Sequence, residues 1–593
     1  MSDSPTSRWR FTVAFVLLAG ALAALAGRVV WIQVARGDAL GETAARQQRS
    51  RIELPAKTGN ILARDRDGFV LLAGSRQVRS IYADPALLGE ENFVAAADKV
   101  GEALGVPSSG IYETLVRNRF ERFAWLSREV SDAQVRSVEE LRMPAVRVTH
   151  EWRRRYPHGP LAAQVVGYRR LDGVGGAGVE FQADGWLRAA PGMKELRTDA
   201  ARRGKYAQVT SYRPPRDGQH VLLTLDVVIQ GYLEEAMAEA ARQYEAKSVM
   251  GVVMDPQTGA LLAIGSAPGY DPSRFDDPAY RREHRDHVRN RALTDPYEPG
   301  SSFKPFIACG AVEMGEATLR TEFFCHNGLY HAYRGGTIRD FPGEHFGTIP
   351  LREIVVHSSN IGMAKLGERL GNASLYRVGW AFGFGSRTGV DLPGECPGAL
   401  VPAARWTSYA TRRMPFGQGP ISVTALQLAT AFGAIANGGV LMKPWIVDRV
   451  VDADGTESHR GGPQPVRRVL SEAVAEQFRR DVLVQVVERG TGKKARLDRW
   501  QVFGKTGTAQ IGTRTGYPER AYTATFVGGA PVSRPRLVCV VSVYWPDYAK
   551  GYTGGSVAAP VVRDVLGRSL AYLDVPTDRF LTVASASGGR AAD

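Results

Sequence analysis

The longest hydrophobic run in the chain lies close to its amino terminus. Residues Phe11 to Gly27 carry no charge over seventeen positions, and a helix of that length spans about 26 Å, slightly less than the ~30 Å hydrocarbon core of a bilayer. The apolar pattern resumes from Val29 to Val34, so the span is complete if Arg28 extends towards the headgroups. We therefore predict a transmembrane anchor over residues 11–34, preceded by a cytoplasmic tail, residues 1–10.

The alternative to an anchor is a cleaved signal peptide, because Ala24-Leu25-Ala26 resembles a small-residue cleavage site. The apolar pattern beyond that point favours an uncleaved anchor. Arg8 and Arg10 favour a cytoplasmic amino terminus, whereas Arg28 and Arg36 weaken the charge asymmetry on which that rule depends. No second hydrophobic stretch approaches spanning length, so we predict a single-pass protein with one large soluble part.

Between residues 35 and 216 the pattern mixes short strands with amphipathic helices. Phe69 to Leu72 is typical of a strand, and Asn92 to Leu104 has the spacing of an amphipathic helix. Gly173 to Gly178 is rich in glycine but lacks the strand and helix that flank a dinucleotide-binding loop, so it is interpreted as a flexible turn. The pattern predicts one mixed domain over residues 35–216.

A second domain is predicted over residues 217–576, where strands alternate with longer helices. The predicted strands are His220–Leu225, Ser248–Met254, Ala260–Gly265, Gln501–Phe503, Thr523–Gly528 and Leu537–Trp545, and the predicted helices are Asp226–Tyr244, Ile361–Leu370, Thr424–Asn437 and Ser471–Glu488. The turn from Asp255 to Gly259 joins two strands as a hairpin, which indicates an antiparallel sheet. Helices packed on such a sheet give an α+β fold. Residues 577–593, rich in Ser, Gly and Ala, are predicted to be a flexible tail.

The composition is that of a folded protein with an excess of arginine. Hydrophobic residues make up 44% and charged residues 23% of 593 residues, which allows roughly two to four domains. The formal charge of +14 could indicate an anionic partner, but no basic run is interleaved with aromatic residues, so nucleic acid is not an expected partner. The chain contains 63 Arg and 12 Lys. Because arginine cannot act as a base and lysine can, a lysine within a motif carries extra weight.

The four cysteines occur at spacings that match neither a zinc site nor a disulfide framework. Cys325 and His326 with His331 and His345 are only a weak candidate for a set of metal ligands. We expect no metal and no organic cofactor.

Ser301 and Lys304 are the first candidates for catalytic chemistry. Pro299 and Gly300 form a turn, and a mostly apolar stretch typical of a buried helix follows. Residues three apart share a helix face, which puts the Lys304 amine within reach of the Ser301 hydroxyl. A neutral lysine can take the proton of an attacking serine, and the helix amino end offers N–H groups to an oxyanion. A lone S-x-x-K more often marks an N-capping serine and a solvated lysine, so further motifs must support this interpretation.

Ser358 and Asn360 form the second candidate motif. The two residues are two apart before a predicted helix, so in a looped segment both side chains can face one cleft. Alone the motif is weak, because Ser and Asn are common helix caps.

Lys505, Thr506, Gly507 and Thr508 form the third motif and continue a strand-like run. The period of two places Thr506 and Thr508 on one face of a strand, where their hydroxyls could hold a carboxylate. Gly507 has no side chain to obstruct a substrate. Lys505 would add positive potential, and repulsion between like charges would help to keep Lys304 neutral.

The three motifs in this order, S-x-x-K, S-x-N and K-T-G-T, resemble those of the penicillin-binding proteins. Further segments that look like the transpeptidase domain of that family are Asn290–Ala292, Tyr297–Gly300, Gly383–Gly385, Asp391–Glu395, Gly417–Gly419, Gly490–Gly492 and Gly554–Gly555. Segments that look like the pedestal of its class B members are Arg155–Pro157, Gly167–Tyr168 and Gly178–Glu180. No lysozyme-like glycosyltransferase motif precedes Asp217, which favours the monofunctional class. Lys57-Thr58-Gly59-Asn60 departs from the family, where an Arg more usually precedes the Gly, and it shows that a K-T-G also occurs without partners.

The resemblance implies a class B penicillin-binding protein of the bacterial cytoplasmic membrane. The single transmembrane helix would be followed by an elongated pedestal, residues 35–216, and a transpeptidase domain, residues 217–576, both outside the cytoplasm. The implied activity is peptidoglycan D,D-transpeptidation through a serine acyl-enzyme, and the implied partners are stem peptides, β-lactams, a membrane-embedded glycosyltransferase and proteins of a division or elongation complex.

The resemblance also implies the role of each motif residue. Ser301 would attack, Lys304 would take its proton, Ser358 would relay the proton, Asn360 would orient Lys304, Lys505 would supply positive charge, and Thr506, Gly507 and Thr508 would bind the terminal carboxylate. A division-type, FtsI-like role is favoured over elongation. A β-lactam sensor or non-catalytic scaffold is the alternative of a different class, and a β-lactamase would need a water-activating residue that we cannot assign.

Overall fold

A computed structural model describes residues 5–197, 208–332, 336–512 and 516–579. Most of the predicted tail, from residue 580 onwards, and residues 1–4 of the predicted cytoplasmic segment lie outside the described residues. The described residues fall into two compact units, one from residues 5–57, 189–197 and 208–217, and the other from residues 58–188 and the described part of 218–579.

The elements up to residue 217 are short apart from the first helix and two strands. The strands are β1 Arg49–Leu54, β2 Ile61–Arg64, β3 Phe69–Ala83, β4 Ala124–Ser127, β5 Val146–Arg155, β6 Gly192–Arg197 and β7 Gln208–Arg213. The helices are α1 Pro5–Gln48, α2 Pro85–Leu88, α3 Phe93–Leu104, α4 Ser108–Arg117, α5 Asp132–Glu140, α6 Ala163–Val166, α7 Gly178–Gln182 and α8 Asp184–Leu187.

The elements after residue 217 include longer helices and a set of long strands. The strands are β8 His220–Asp226, β9 Ser248–Met254, β10 Leu261–Ala267, β11 Glu322–Phe324, β12 Leu329–Ala332, β13 Gly336–Arg339, β14 Thr348–Pro350, β15 Ala399–Leu400, β16 Ile421–Ser422, β17 Val440–Met442, β18 Val447–Val451, β19 Glu457–Arg460, β20 Pro465–Arg468, β21 Phe503–Gln510, β22 Tyr522–Ala530 and β23 Leu537–Tyr544. The helices are α9 Val227–Gln243, α10 Pro278–Glu283, α11 Arg291–Thr294, α12 Lys304–Glu313, α13 Leu351–His357, α14 Asn360–Ala381, α15 Ser408–Arg413, α16 Ala425–Ala436, α17 Glu472–Gln477, α18 Val484–Glu488 and α19 Ala559–Tyr572.

The first unit combines the apolar helix with a small sheet. Within α1, the stretch Trp9–Asp38 has 30 residues and contains an exposed 18-residue window with a mean hydropathy of 2.2. It is the one helix among the described residues long and apolar enough to cross a membrane. The predicted anchor, residues 11–34, lies inside it. The antiparallel strands β1, β6 and β7 form a three-stranded sheet in this unit.

The second unit is built on a five-stranded sheet in the order β10-β9-β23-β22-β21, which we call the central sheet. All of its pairings are antiparallel. Helices α9 and α19 cover one face and α16 packs on the other. Each face carries its own hydrophobic core because successive side chains of a strand point to opposite sides. This arrangement confirms the predicted α+β fold with helices on an antiparallel sheet.

A second sheet of seven strands lies in the same unit and mixes strands from both parts of the sequence. Its order is β19-β18-β8-β2-β3-β4, with β5 paired to β3. Strand β8 matches the predicted His220–Leu225, but it pairs in parallel with β2 rather than joining the central sheet. Hydrophobic alternation identifies a strand but not the strand it pairs with, so the pattern does not predict the pairing of β8 with β2.

Three predicted elements differ from the structure in extent. Strand β3 continues through polar residues to Ala83 because it pairs with the whole of β5. Helix α14 continues past Leu370 to Ala381, with a break at Gly371, where φ is 70° and ψ is 169°. The strand predicted from Gln501 begins only at Phe503, and it continues through the third motif, as predicted, to Gln510.

Candidate active site

A tight turn places Ser301 at the entrance to helix α12. Residues Gly300–Phe303 form a 3-10 helix, and α12 begins at Lys304 rather than at the serine. Gly300 has φ of 54°, and a Cβ atom there would lie 2.9 Å from the carbonyl oxygen of Thr508. Its N–H donates to the carbonyl of Gly417 at 3.0 Å. The glycine is therefore required both by the left-handed backbone and by the close approach of β21.

Gly300→Ala is expected to lower the free energy of unfolding by about 2 to 4 kcal/mol, because backbone strain and the clash with Thr508 add together. Gly315→Ala is the matched control: φ there is 72°, but a Cβ atom added at Gly315 would have no neighbour within 4 Å, so the variant keeps only the backbone strain. Chemical denaturation of the two variants measures the difference. Equal stability of the two variants would contradict the close packing of the turn on β21.

The second motif occupies the junction between helices α13 and α14. Ser358 ends α13 with φ of 66°, and Ser359 caps α14 by accepting from the N–H of Gly362 at 3.0 Å. This reversal turns the side chains of Ser358 and Asn360 towards the same amine. Lys304 Nζ donates to Ser358 Oγ at 3.0 Å and to Asn360 Oδ1 at 2.9 Å.

The position of the Lys304 amine differs from the sequence prediction. The sequence predicts that the amine can come within hydrogen-bond reach of the Ser301 hydroxyl, whereas its hydrogen bonds go to the side chains of Ser358 and Asn360 and to the Ser358 carbonyl. Within the described residues no hydrogen bond joins it to Ser301. The reason is that the second motif offers three acceptors, the Ser358 carbonyl, Ser358 Oγ and Asn360 Oδ1, which match the three N–H donors of the ammonium group.

The Lys505 amine converges on the same hydroxyl from the third motif. Lys505 Nζ donates to Ser358 Oγ at 2.9 Å, so this oxygen receives hydrogen bonds from both lysines. Both lysine residues are fully buried. Burial lowers the pKa of Lys304 to about 7, and burial together with the charge of Lys304 lowers the pKa of Lys505 well below its usual range.

The pKa of Lys304 therefore has a different cause from the predicted one. Repulsion by Lys505 was expected to keep Lys304 neutral, but burial lowers the pKa of Lys304, and the repulsion acts on Lys505. The carboxylate of Asp340 and the Cys325 thiol act in the opposite direction and raise the pKa of Lys304. Burial disfavours the charged form of an amine, whereas a nearby negative charge favours it.

The two threonines of the third motif are held by neighbours outside the motif. Thr506 Oγ1 and Thr491 Oγ1 are 2.7 Å apart and share a hydrogen bond. Thr508 Oγ1 accepts from the N–H of Gly554 at 3.1 Å, which leaves its O–H available to a ligand. Neither Thr491 nor Gly554 is predicted from the sequence as a site residue, although both lie in segments that resemble the transpeptidase domain of the family.

The structure gives a different reason from the predicted one for the glycine at position 507. A Cβ atom at this position would lie 2.8 Å from the carbonyl oxygen of Pro299 and 3.1 Å from Ser302 Cβ. The missing side chain therefore lets β21 pack against the serine turn, and the space it leaves is filled by protein rather than kept open for a substrate.

Strand β21 is the edge of the central sheet, and its outer side faces the serine turn. The carbonyl of Thr508 approaches Gly300, so it points away from β22. In an antiparallel strand the N–H and C=O groups of one residue point to the same side. The N–H of Thr508 is therefore directed to the open edge, beside the amino end of the Ser301 turn.

A carboxylate absent from the sequence prediction also belongs to this site. Asp340 is buried and accepts hydrogen bonds from Ser359 Oγ and from the N–H groups of Asn360 and Ile361. No spacing in the sequence connects it with the three motifs. Among the residues that the structure describes, no cluster of three His, Cys, Asp or Glu side chains could hold a metal ion.

Comparison with known families matches both parts of the chain. Residues 249–567 match the family described as penicillin binding protein transpeptidase domain, and residues 53–223 match the penicillin-binding protein dimerisation domain. The three motifs all lie within the first of these matches.

Individual proteins are similar over nearly the full chain. Stage V sporulation protein D of Bacillus subtilis is 31% identical over 95% of this chain and 85% of its own length. The peptidoglycan D,D-transpeptidase FtsI of Escherichia coli K12 is 29% identical over 97% and 93%. Among solved structures, penicillin binding protein 3 of Mycobacterium tuberculosis in complex with aztreonam has a TM-score of 0.68 at 28% identity, covering 89% of this chain and 98% of that one. The chain belongs to the penicillin-binding proteins, as a member with a transpeptidase domain preceded by the dimerisation domain of that family.

Proposed function

We propose that the chain is a serine-type peptidoglycan D,D-transpeptidase that cross-links stem peptides and is acylated by β-lactams. The observation that carries the proposal is the convergence of two buried lysine amines on Ser358 Oγ, next to the turn that presents Ser301. A buried lysine with a pKa of about 7 is neutral often enough at neutral pH to act as a base. The name of the similar protein FtsI describes the same activity.

The first step forms an acyl-enzyme. Ser301 Oγ attacks the carbonyl carbon between the two terminal D-alanines, and its proton passes to Lys304 Nζ. The peptide C–N bond then breaks, and the departing D-alanine amine receives a proton through Ser358, which is hydrogen-bonded to both lysines. The N–H groups of Ser301 and Thr508 stabilise the oxyanion, while Thr506 and Thr508 hold the terminal carboxylate.

The second step transfers the acyl group. An amine of a neighbouring stem peptide attacks the ester carbon, loses a proton to the Lys304 and Ser358 pair, and releases Ser301 Oγ with that proton. The balance is one peptide bond formed for one peptide bond broken, so no energy source beyond the substrate is needed.

The acylation rate is expected to rise with pH up to about 7 and then to level off. Below that pH the Lys304 amine is protonated and cannot accept the serine proton, so the rate falls about tenfold for each pH unit. The apparent value belongs to the coupled Lys304 and Lys505 pair rather than to one amine. Stopped-flow acylation by a chromogenic β-lactam between pH 5 and 9 measures the profile. A rate independent of pH below 7 would exclude Lys304 as the base.

Intact-protein mass spectrometry tests the proposed reaction directly. Penicillin is expected to add one drug mass to the protein, and the adduct is expected to persist for minutes. Rapid loss of the adduct with turnover of penicillin would indicate a β-lactamase. A stable adduct without release of D-alanine from a stem-peptide substrate would indicate a β-lactam sensor or scaffold.

We further propose a single-pass topology with residues 1–10 in the cytoplasm, an anchor over 11–34, and a pedestal, 35–216, and transpeptidase domain, 217–576, outside the cytoplasmic membrane. The proposed role is septal wall synthesis beside a membrane-embedded glycosyltransferase and division proteins, with elongation as the second candidate. The whole-length similarity to FtsI supports the septal role. Depletion of the protein separates the two: filamentous cells indicate division, and round cells indicate elongation.

A further inference from the structure

Asp340 lies where the β12–β13 hairpin meets the second motif. It directly follows β13 and is buried, with 7% of its surface exposed. Its Oδ1 atom accepts from the N–H of Asn360 at 2.6 Å and from the N–H of Ile361 at 3.0 Å. Ser359 Oγ lies 3.0 Å from both carboxylate oxygens. One side chain thus satisfies the amino end of α14 at the point where Asn360 begins that helix.

The hairpin also determines which way the Asn360 amide faces. Asn360 Nδ2 donates to the carbonyl of Arg339 at 2.9 Å, so its Oδ1 atom is the end that accepts from Lys304 Nζ. The main chain and the side chain of two consecutive residues, Arg339 and Asp340, therefore hold the residue that orients the proposed base. Ser358 lies two residues before Asn360, at the same junction between α13 and α14.

The charged and titratable groups around the Lys304 amine come from different elements. Lys505 reaches the site from β21, the Cys325 thiol from the segment after β11, and Asp340 from the segment after β13. Asp340 is the carboxylate among them. Its negative charge opposes the effect of burial on Lys304, and a base that is too weakly basic transfers protons poorly even when it is neutral.

We propose that Asp340 is a positioning residue for acyl transfer: its carboxylate fixes Asn360 at the start of α14 and places a negative charge beside the Lys304 amine. The inference rests on the proposed transpeptidase function. It assigns to a residue outside the three motifs the control of both the geometry and the basicity of the proposed base.

The pH profile of β-lactam acylation tests this assignment with Asp340→Asn, which keeps the size and one oxygen acceptor but removes the charge. The acid limb, the part of the profile where the rate rises with pH, is expected to move about one pH unit lower because the amine loses its proton more readily. The plateau is expected to be lower because the amine becomes a weaker base. Asp340→Glu keeps the charge and is expected to leave the limb near its wild-type position. Asp340→Ser repeats the neutral test with a smaller side chain.

Ser359→Ala is the matched control, because it removes a hydrogen bond to Asp340 without changing any charge. It is expected to lower the melting temperature and leave the acid limb in place. An acid limb that stays in place in folded Asp340→Asn would overturn the proposal. Loss of the folded state in both neutral variants would make Asp340 a structural residue and would also overturn it. Failure of the proposed function is distinguishable, because the wild-type protein would then either resist acylation or be acylated by β-lactams without releasing D-alanine from a stem-peptide substrate.

Discussion

Ser301→Ala is expected to abolish covalent labelling by penicillin. The variant removes the oxygen that forms the acyl bond, and loss of a serine nucleophile costs about six orders of magnitude in rate. Neighbouring hydroxyls do not replace it: Ser302 is fully buried and donates to the Pro299 carbonyl at 2.7 Å, and Ser358 receives hydrogen bonds from two lysines. Intact-protein mass after incubation with excess penicillin measures the effect.

Ser302→Ala is the matched control for this experiment. It removes the adjacent hydroxyl, which donates a hydrogen bond to the Pro299 carbonyl within the turn. The variant is expected to retain labelling by penicillin. Persistence of the adduct in Ser301→Ala would refute the assignment of the nucleophile. Complementation adds a cellular test: a non-catalytic scaffold would still support growth with Ser301→Ala, whereas a transpeptidase would not.

Lys304→Met is expected to reduce the acylation rate about 10³- to 10⁴-fold at every pH. Methionine has a similar volume and tolerates full burial, but it cannot accept the Ser301 proton, and general-base catalysis contributes up to about four orders of magnitude. Ser358 keeps its hydrogen bond from Lys505, so the proton transfer through Ser358 is slowed but not abolished. The rate constant for acylation, measured across pH 5 to 9, is also expected to lose its inflection near pH 7.

Lys365→Met provides the comparison for Lys304→Met. Lys365 lies further along α14, where it pairs with Glu368 at 3.4 Å and stands over the ring of Tyr330. Its replacement is expected to leave acylation within about twofold of wild type, as is usual for a residue remote from the chemistry. If Lys304→Met retained more than a tenth of the wild-type rate, a base other than Lys304 would have to be sought.

Much of the fold follows from local patterns. The hairpin Ser248–Met254 with Leu261–Ala267 and the helices near Asn92–Leu104 and Thr424–Asn437 match their predictions to within a few residues. These elements have strong hydrophobic periodicity and clear turn residues at their ends. The parallel pairing of β2 with β8 and the length of β3 do not follow in this way, because partners distant in the chain decide them.

The features of the candidate site also separate into those set by local sequence and those set by residues distant in the chain. The sequence by itself determined the apolar amino-terminal stretch, the α+β class and the three motifs, because each depends on spacing within a few residues. Only the tertiary structure directed Lys304 to Ser358 and Asn360, packed Gly507 against Pro299, and brought Thr491 and Asp340 to the site. These contacts join residues that are far apart in the chain, and burial, which sets the basicity of Lys304, exists only after the chain has folded.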